Sequence, residues 1–417
     1  MAQGYSAYNI VSSEISYKNS PNIDAFGRLR VSTPFTLFDS SHRFDDNGLW
    51  STATATSGTV TFNASQGLVD LAVTSASGSE VVRETTKVFS YQPGKSLLVM
   101  NTFVMSAAKT NLRQRVGYYG LENGLYLQLN NSTLSFVERS LVTGSVSESV
   151  VNQSSWNVDK MDGTGPSGIT LDITKAQILF MDIEWLGLGT VRMGFVINGN
   201  FYVCHKFHHA NIITSTYITT ASLPIRYEIT NTGATSGAST LKQICSTVLS
   251  EGGYQLNGLQ QAVGIPVTTP RTLGTAGTFY PIVSIRLKTS PDRLDAIVIC
   301  TAISVVATTS GHYNWQVVAS GTTSAGTWVG APGDSSVEYN ITGTSFTGGR
   351  ILASGFFSST NQGSTQVDIL KEALFKTQLE RNGLTSSPFE LTILVASDVG
   401  GGGGTVLASM DWEEISR

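Results

Sequence analysis

Asp182 and Glu184 are the residues of this 417-residue chain best placed for covalent chemistry. They stand two apart in D-I-E-W-L-G, inside an apolar-alternating run. A strand there points both carboxylates to one face. Glycoside hydrolysis uses such a pair, one acid as nucleophile and one as proton donor. The competing reading pairs these acids with Arg192 on the next run, and it is favoured. Cys204, His205, His208 and His209 invite a metal. On a strand, however, His205 and His209 lie ~13 Å apart, and one ion cannot join them. His205 is expected beside Met193, with a polar loop after it. Asp159 and Asp162 could hold calcium, but they lack the regular spacing of a hand-type loop. A turn ordered by side-chain-to-backbone hydrogen bonds suits them better. Five His residues and no Ser-His-Asp or Cys-His order leave no nucleophilic triad. Tyr118, Tyr119 and Tyr126 could stack sugars, or equally serve as core or interface. The expectation is a non-enzymatic chain with no catalytic, metal or cofactor set.

The acids must be positioned by the stretch Trp156 to Asn211. A Gly/Pro-rich loop leads into three apolar-alternating runs joined by tight turns, the signal for an antiparallel meander. Leu179, Met181, Ile183 and Trp185 share a face, as do Val191, Met193, Phe195 and Ile197, and then Phe201, Val203, His205 and Phe207. A two-residue turn at Asn198-Gly199 would set Phe195 opposite Tyr202 and turn the third apolar set outward. A three-residue loop, Asn198 to Asn200, pairs Phe195 with Val203 and is preferred. The same logic sets Trp185 opposite Val191 and Glu184 opposite Arg192, a cross-strand pair worth only ~0.2–1 kcal/mol.

Charged residues are 13% of the chain, about half the usual share. Low charge with abundant Gly, Ser, Thr and Val suits close-spaced strands and surfaces covered by partner chains. The net charge of −4 gives no basic footprint for nucleic acid. Three widely spaced Cys residues read as free thiols in a reducing compartment. There is no signal-peptide pattern and no run near the ~18 apolar residues that span a bilayer, so no membrane insertion is expected.

Short strands broken by turn residues fill residues 46–252, and Tyr217–Thr219 is taken as one of them. The expected fold is all-β: a jelly-roll-like β-sandwich over 46–252, a linker over 253–272, and a second, smaller β-sandwich over 273–417. Val367–Arg381 reads weakly as a strand. Residues 1–45 are expected to form an extended N-terminal arm. Its apolar residues are too many for a solvated tail, so Phe26, Leu29, Phe35 and Phe38 join Asp182, Glu184 and Arg192 as candidate subunit or partner contacts.

Several segments resemble structural proteins carried by tailed phages, mainly marine ones. They are D-A-F-G-R-L-R-V-S, R-Q-R-V-G-Y-Y-G-L-E-N-G-L-Y-L-Q, W-N-V-D-K-M-D-G-T-G-P-S-G-I-T-L-D, W-L-G-L-G-T-V-R-M-G-F-V-I-N-G and L-K-Q-I-C-S-T-V-L-S-E-G-G-Y, within residues 24–255. The strand order ending in V-R-M-G-F-V-I-N-G-N is similar to concanavalin- or laminin-G-like jelly rolls. D-I-E-W-L-G only partly resembles the E-x-D-x-x-E strand of laminarinase-like glycosidases, because Gly187 stands where their third carboxylate would be. The phage resemblance implies a virion component (tail, fibre, neck or head decoration) assembled in the host cytoplasm. It would be a homo-oligomer, a trimer or higher, bound to other virion proteins. The alternative is an adhesin for host-surface glycan, and a polysaccharide hydrolase comes last.

Overall fold

The structure is a computed structural model that describes residues 9–11, 14–16, 22–45, 48–253, 257–359 and 377–416. It is all-β: strands dominate, and the described residues contain one 3-10 turn, Gln153–Ser155, and no α-helix. No helix among them is long and apolar enough to cross a membrane. The chain divides into two compact units, Met1–Thr85 with Tyr91–Tyr254, and Thr86–Ser90 with Gln255–Arg417.

The first unit is built on two antiparallel sheets. One runs edge to edge through Asn200–Phe207, Val191–Ile197, Gln177–Ile183, Leu97–Val104, Ser239–Ser250, Leu68–Val73 and Thr59–Asn63. Its eighth strand, Phe35–Ser41, pairs with the second half of Ser239–Ser250. The other runs through Ser147–Asn152, Thr133–Ser140, Gly124–Asn130, Leu112–Tyr119, Ile225–Asn231, Glu80–Thr85 and Trp50–Ala55. Inward-facing residues join the two. Phe136 lies 6.2 Å from Phe195 and stacks on Trp156, Phe38 meets Trp50 edge-on, and Tyr227 hydrogen-bonds Ser246.

Three expectations are corrected. Phe35–Ser41 is a sheet strand, not part of a separate arm, because its backbone completes the half of Ser239–Ser250 that Leu68–Val73 leaves unpaired. The segment expected as a linker carries two strands, Leu259–Gly264 and Arg271–Leu273, both paired with Gly404–Ser416. Tyr217–Thr219 is irregular, with Tyr217 stacked flat on His209. The expected strand Val367–Arg381 falls mostly outside the described residues.

The second unit is a β-sandwich. Its six-stranded sheet runs Val329–Gly330, Val337–Asn340, Tyr280–Leu287, Glu390–Ser397, Gly311–Ser324 and Ser345–Ser359. It shares one apolar core with the four-stranded sheet of Leu259–Gly264, Arg271–Leu273, Ile297–Ala307 and Gly404–Ser416. Val283, Ile393 and Trp315 come from one side of that core, and Val298, Met410 and Trp412 from the other.

The meander forms, but its register differs from the expected one. Asn198 and Gly199 alone make the turn, with φ of 51° and 78°, and Phe195 does face Tyr202. A bulge one step further restores the apolar face. Gly194 pairs with Val203 and Met193 with His205, so Cys204 is the extra residue. The chain thus keeps a tight turn and corrects the facing by inserting a residue. The first connection is also longer than expected. Trp185 leaves the ladder to donate its indole N–H to the Ile218 carbonyl and to pack on Tyr91. Ile183 therefore faces Val191, and Asp182, not Glu184, faces Arg192.

Gly194 makes this register testable. A Cβ there would stand 1.9 Å from the Tyr202 carbonyl oxygen. Gly194→Ala should lower stability by roughly 1–3 kcal/mol in chemical denaturation. An unchanged midpoint would mean that the ladder does not bulge there.

Candidate functional site

The candidate site is a buried ionic clamp on the face of the larger sheet that points away from the core. Met181 and Ile183 point inward, so Asp182 and Glu184 point outward by strand alternation. They are nonetheless almost fully buried, because residues Asn22 to Ser32 lie over them as a strap. The strap is a tight hairpin. Ile23 bridges Leu29, Gly27 takes φ +79°, and the Arg28 amide donates to Asp24 Oδ1 at 2.8 Å.

The sequence D-A-F-G-R-L-R-V-S explains the docking. In extended chain Arg28, Arg30 and Ser32 share one side, and Leu29 and Val31 the other. The polar side faces the sheet. Arg30 reaches Asp182 Oδ2 at 2.7 Å and also pairs with Glu251, whose other oxygen accepts from Ser32. Arg28 holds Asp24 at 2.7 Å, donates to the Gly94 carbonyl, and comes within 3.7 Å of Glu184. From the sheet, Arg192 Nε donates to Asp182 Oδ2 at 2.9 Å, and its Nη2 reaches Asp182 and the Ile23 carbonyl.

Three guanidiniums (Arg28, Arg30, Arg192) thus meet four carboxyls (Asp24, Asp182, Glu184, Glu251). Glu184 is the odd acid. Neither of its oxygens has a hydrogen-bond donor at bonding geometry. Burial pushes its carboxyl up to about 8, and Asp24 and Asp182 add to the shift. The Phe26 amide and Arg28 offset only part of it. At neutral pH Glu184 keeps its proton, which closes the charge count of the clamp.

The clamp has little to offer as a hydrolase. A glycoside substrate would have to reach two carboxyls that are 1% and 0% exposed, one of them gripped by two arginines. Gly187, at the position of a third acid, lies in a turn with φ +76°.

Phe26 and Leu29 lie on the strap at 39% and 53% exposure, and Val31 reaches 87%. Phe35 is part-exposed on its strand. Phe38 is core, 6% exposed against Trp50, so it is withdrawn as a partner contact. Asp24, Arg28, Arg30 and Glu251 were missed. The signal for the arginines was the R-x-R alternation after Gly27.

The other candidates resolve as structure. Asp159 accepts the amides of Met161 and Ser167, and Asp162 accepts the amide and hydroxyl of Thr164, so both order their own loop. No three metal-ligating side chains converge among the described residues. His205 sits beside Met193, accepts the Asn157 amide on Nδ1, and is pushed down to about 4 by burial. His209 lies between Glu138 and the Gly189 carbonyl. Tyr118, Tyr119 and Tyr126 are fully buried, so none can stack a sugar from solvent. Tyr118 bonds the Ala221 carbonyl and the Leu223 amide. Tyr119 and Tyr126 lie 4.4 Å apart beneath Arg115, Arg139 and Arg226.

Fold and site together define an all-β chain with a strapped, ion-paired sheet face. No known family model matches the chain, and no curated protein matches it in sequence. Among solved structures it is similar to the Emp47p carbohydrate recognition domain, at 12% identity and TM-score 0.32, covering 53% of this chain and 97% of that one. It is similar to the CBM2 module of the evolved Dit of Lactobacillus casei BL23 phage J-1, at 7% identity and TM-score 0.32, covering 53% and 98%. It is also similar to a GH16 protein of a Bacteroides ovatus mixed-linkage glucan PUL, at 9% and 0.33, covering 51% and 99%. Overlaps this loose decide neither ligand nor activity.

Two outcomes follow from the clamp. Arg192→Met leaves Asp182 with Arg30 alone and should cost up to about 3–5 kcal/mol, whereas Arg28→Ala, at a half-exposed residue, should cost under ~1 kcal/mol. Equal costs in denaturation would place the anchor elsewhere. Glu184 holds its proton to about pH 8 when folded but releases it near its ordinary 4.5 when unfolded. Wild-type stability therefore falls as pH rises between those values. Glu184→Gln stays neutral, so it should match wild type only below about pH 4 and exceed it by roughly 1–3 kcal/mol at pH 8. Parallel melting curves across that window would contradict the assignment.

Proposed function

We propose that this chain is a non-enzymatic structural component of a tailed-phage virion, self-associating and docked to other virion proteins. The phage assignment rests on the sequence resemblance within residues 24–255. The observation that carries the docking role is the inverted strap. Arg30 faces inward and Arg28 lies half-exposed at the rim, while three apolar residues face water: Val31 at 87%, Leu29 at 53% and Phe26 at 39% exposure. A strap that served only the fold would place these groups the other way round. Exposed apolar residues held on a fixed frame suit a partner surface. The low charge of the chain fits a particle component whose surfaces are covered by neighbours.

Host-surface glycan is the alternative. The burial of Tyr118, Tyr119 and Tyr126 deprives it of the stacking platform that the sequence suggested. Hydrolysis would require the strap to leave Asp182 and Glu184.

The docking test uses point changes, because removing residues 1–45 would also remove a sheet strand. Leu29→Asp with Val31→Asp should leave the melting temperature within ~1–2 °C of wild type. The same variant should lose incorporation into particles. Normal incorporation would refute docking through the strap. Signals on a glycan array from the unaltered chain would favour the adhesin.

A further inference from the structure

We infer that the strand Ser345–Ser359 is a self-association edge, pairing antiparallel with the same strand of a second copy across a two-fold axis. This rests on the self-associating reading above and names its surface. At fifteen residues it is the longest strand among the described residues and the outer strand of the six-stranded sheet. It hydrogen-bonds Gly311–Ser324 along one side. Among the described residues nothing pairs with its other side.

Long free edges are templates for pairing, and proteins ordinarily blunt them with charge, Pro, shortness or a cover. Three other edges of this chain are blunted in this way. The outer side of Asn200–Phe207 is covered by Asn157 to Asp159, whose groups bond the backbone of Cys204 and Lys206. The outer side of Ile297–Ala307 is covered by Thr377 to Leu379. The opposite edge of the six-stranded sheet is only two residues long. Among the described residues Ser345–Ser359 has no cover; it holds no Pro and one charged residue, Arg350, in S-F-T-G-G-R-I-L-A-S-G-F-F-S-S. Phe356 is 80% exposed and Ile351 55%.

The sequence selects the occupant. A charged partner strand would find one Arg to answer. A second copy finds a compatible edge. Continuing the sheet across a two-fold axis requires facing residues of equal parity. An axis at Phe356 sets Phe356 against itself, Gly355 against Phe357, and Ser354 against Ser358. No charges then oppose, and Arg350 lies beyond the paired stretch. Such an edge makes the assembly an even multiple of the chain.

The experiment compares the full chain with Phe356→Lys, which places like charges face to face on the axis, and with Ile212→Lys as an exposed control elsewhere. Native mass by light scattering is read over a hundredfold concentration range, with hydrogen exchange of the outward-pointing amides of Ala353–Ser359. Wild type and the Ile212 variant should reach even multiples of 44.5 kDa as those amides become protected. Phe356→Lys should raise the dissociation constant at least tenfold with an unchanged melting temperature. An oligomer in which the outward amides of Ala353–Ser359 exchange as fast as in the monomer, or that survives Phe356→Lys, overturns the edge but leaves self-association standing. A monomer at every concentration overturns both.

Discussion

The grip of Arg192 and Arg30 on Asp182 is the interaction on which the first unit depends. A carboxylate on a sheet face is ordinarily solvated. Here two guanidiniums, one from the neighbouring strand and one from the strap, replace that water. Each ion alone would carry a desolvation cost of several kcal/mol, so none tolerates loss of its partner. The strap is consequently fixed in position and direction. Its turn at Gly27, its hold on Glu251 and the outward aim of Leu29 and Val31 all follow from where Asp182 stands.

That arrangement also bears on the access a substrate would have to the two acids. A hydrolytic carboxyl pair needs an open cleft and two acids of different proton affinity. Asp182 and Glu184 meet the second condition in part, since Glu184 holds its proton to about 8. They fail the first, because the strap occupies the space a substrate would need. The raised affinity of Glu184 is here a consequence of sealing and of an odd count of acids.

Charge-bearing side chains are used in the same way on the other sheet. The Tyr119 and Tyr126 rings lie under arginines that Glu148 and Glu228 balance, and burial pushes both phenols well up. A chain with few charges has concentrated several of them inside layered networks. Several apolar side chains, among them Leu29 and Val31 on the strap and Ile351 and Phe356 on Ser345–Ser359, are left exposed.

Strand alternation and turn residues determined much of the fold. The meander was legible because period-two burial writes itself into sequence. Alternation also placed Asp182 and Glu184 on one face and favoured an ion pair with Arg192 over catalysis. What only the tertiary structure decided was long-range. The bulge at Gly194 answers a conflict between the turn geometry of Asn198-Gly199 and core facing, and local pattern cannot say which side yields. The register of Arg192 turned on Trp185 leaving its strand for Ile218. The strap belongs to the sheet because Arg28 and Arg30 find acids more than 150 residues away at Glu184, Asp182 and Glu251. Pairing at that separation leaves no local signature, since its energy depends on which distant charges the fold brings within reach.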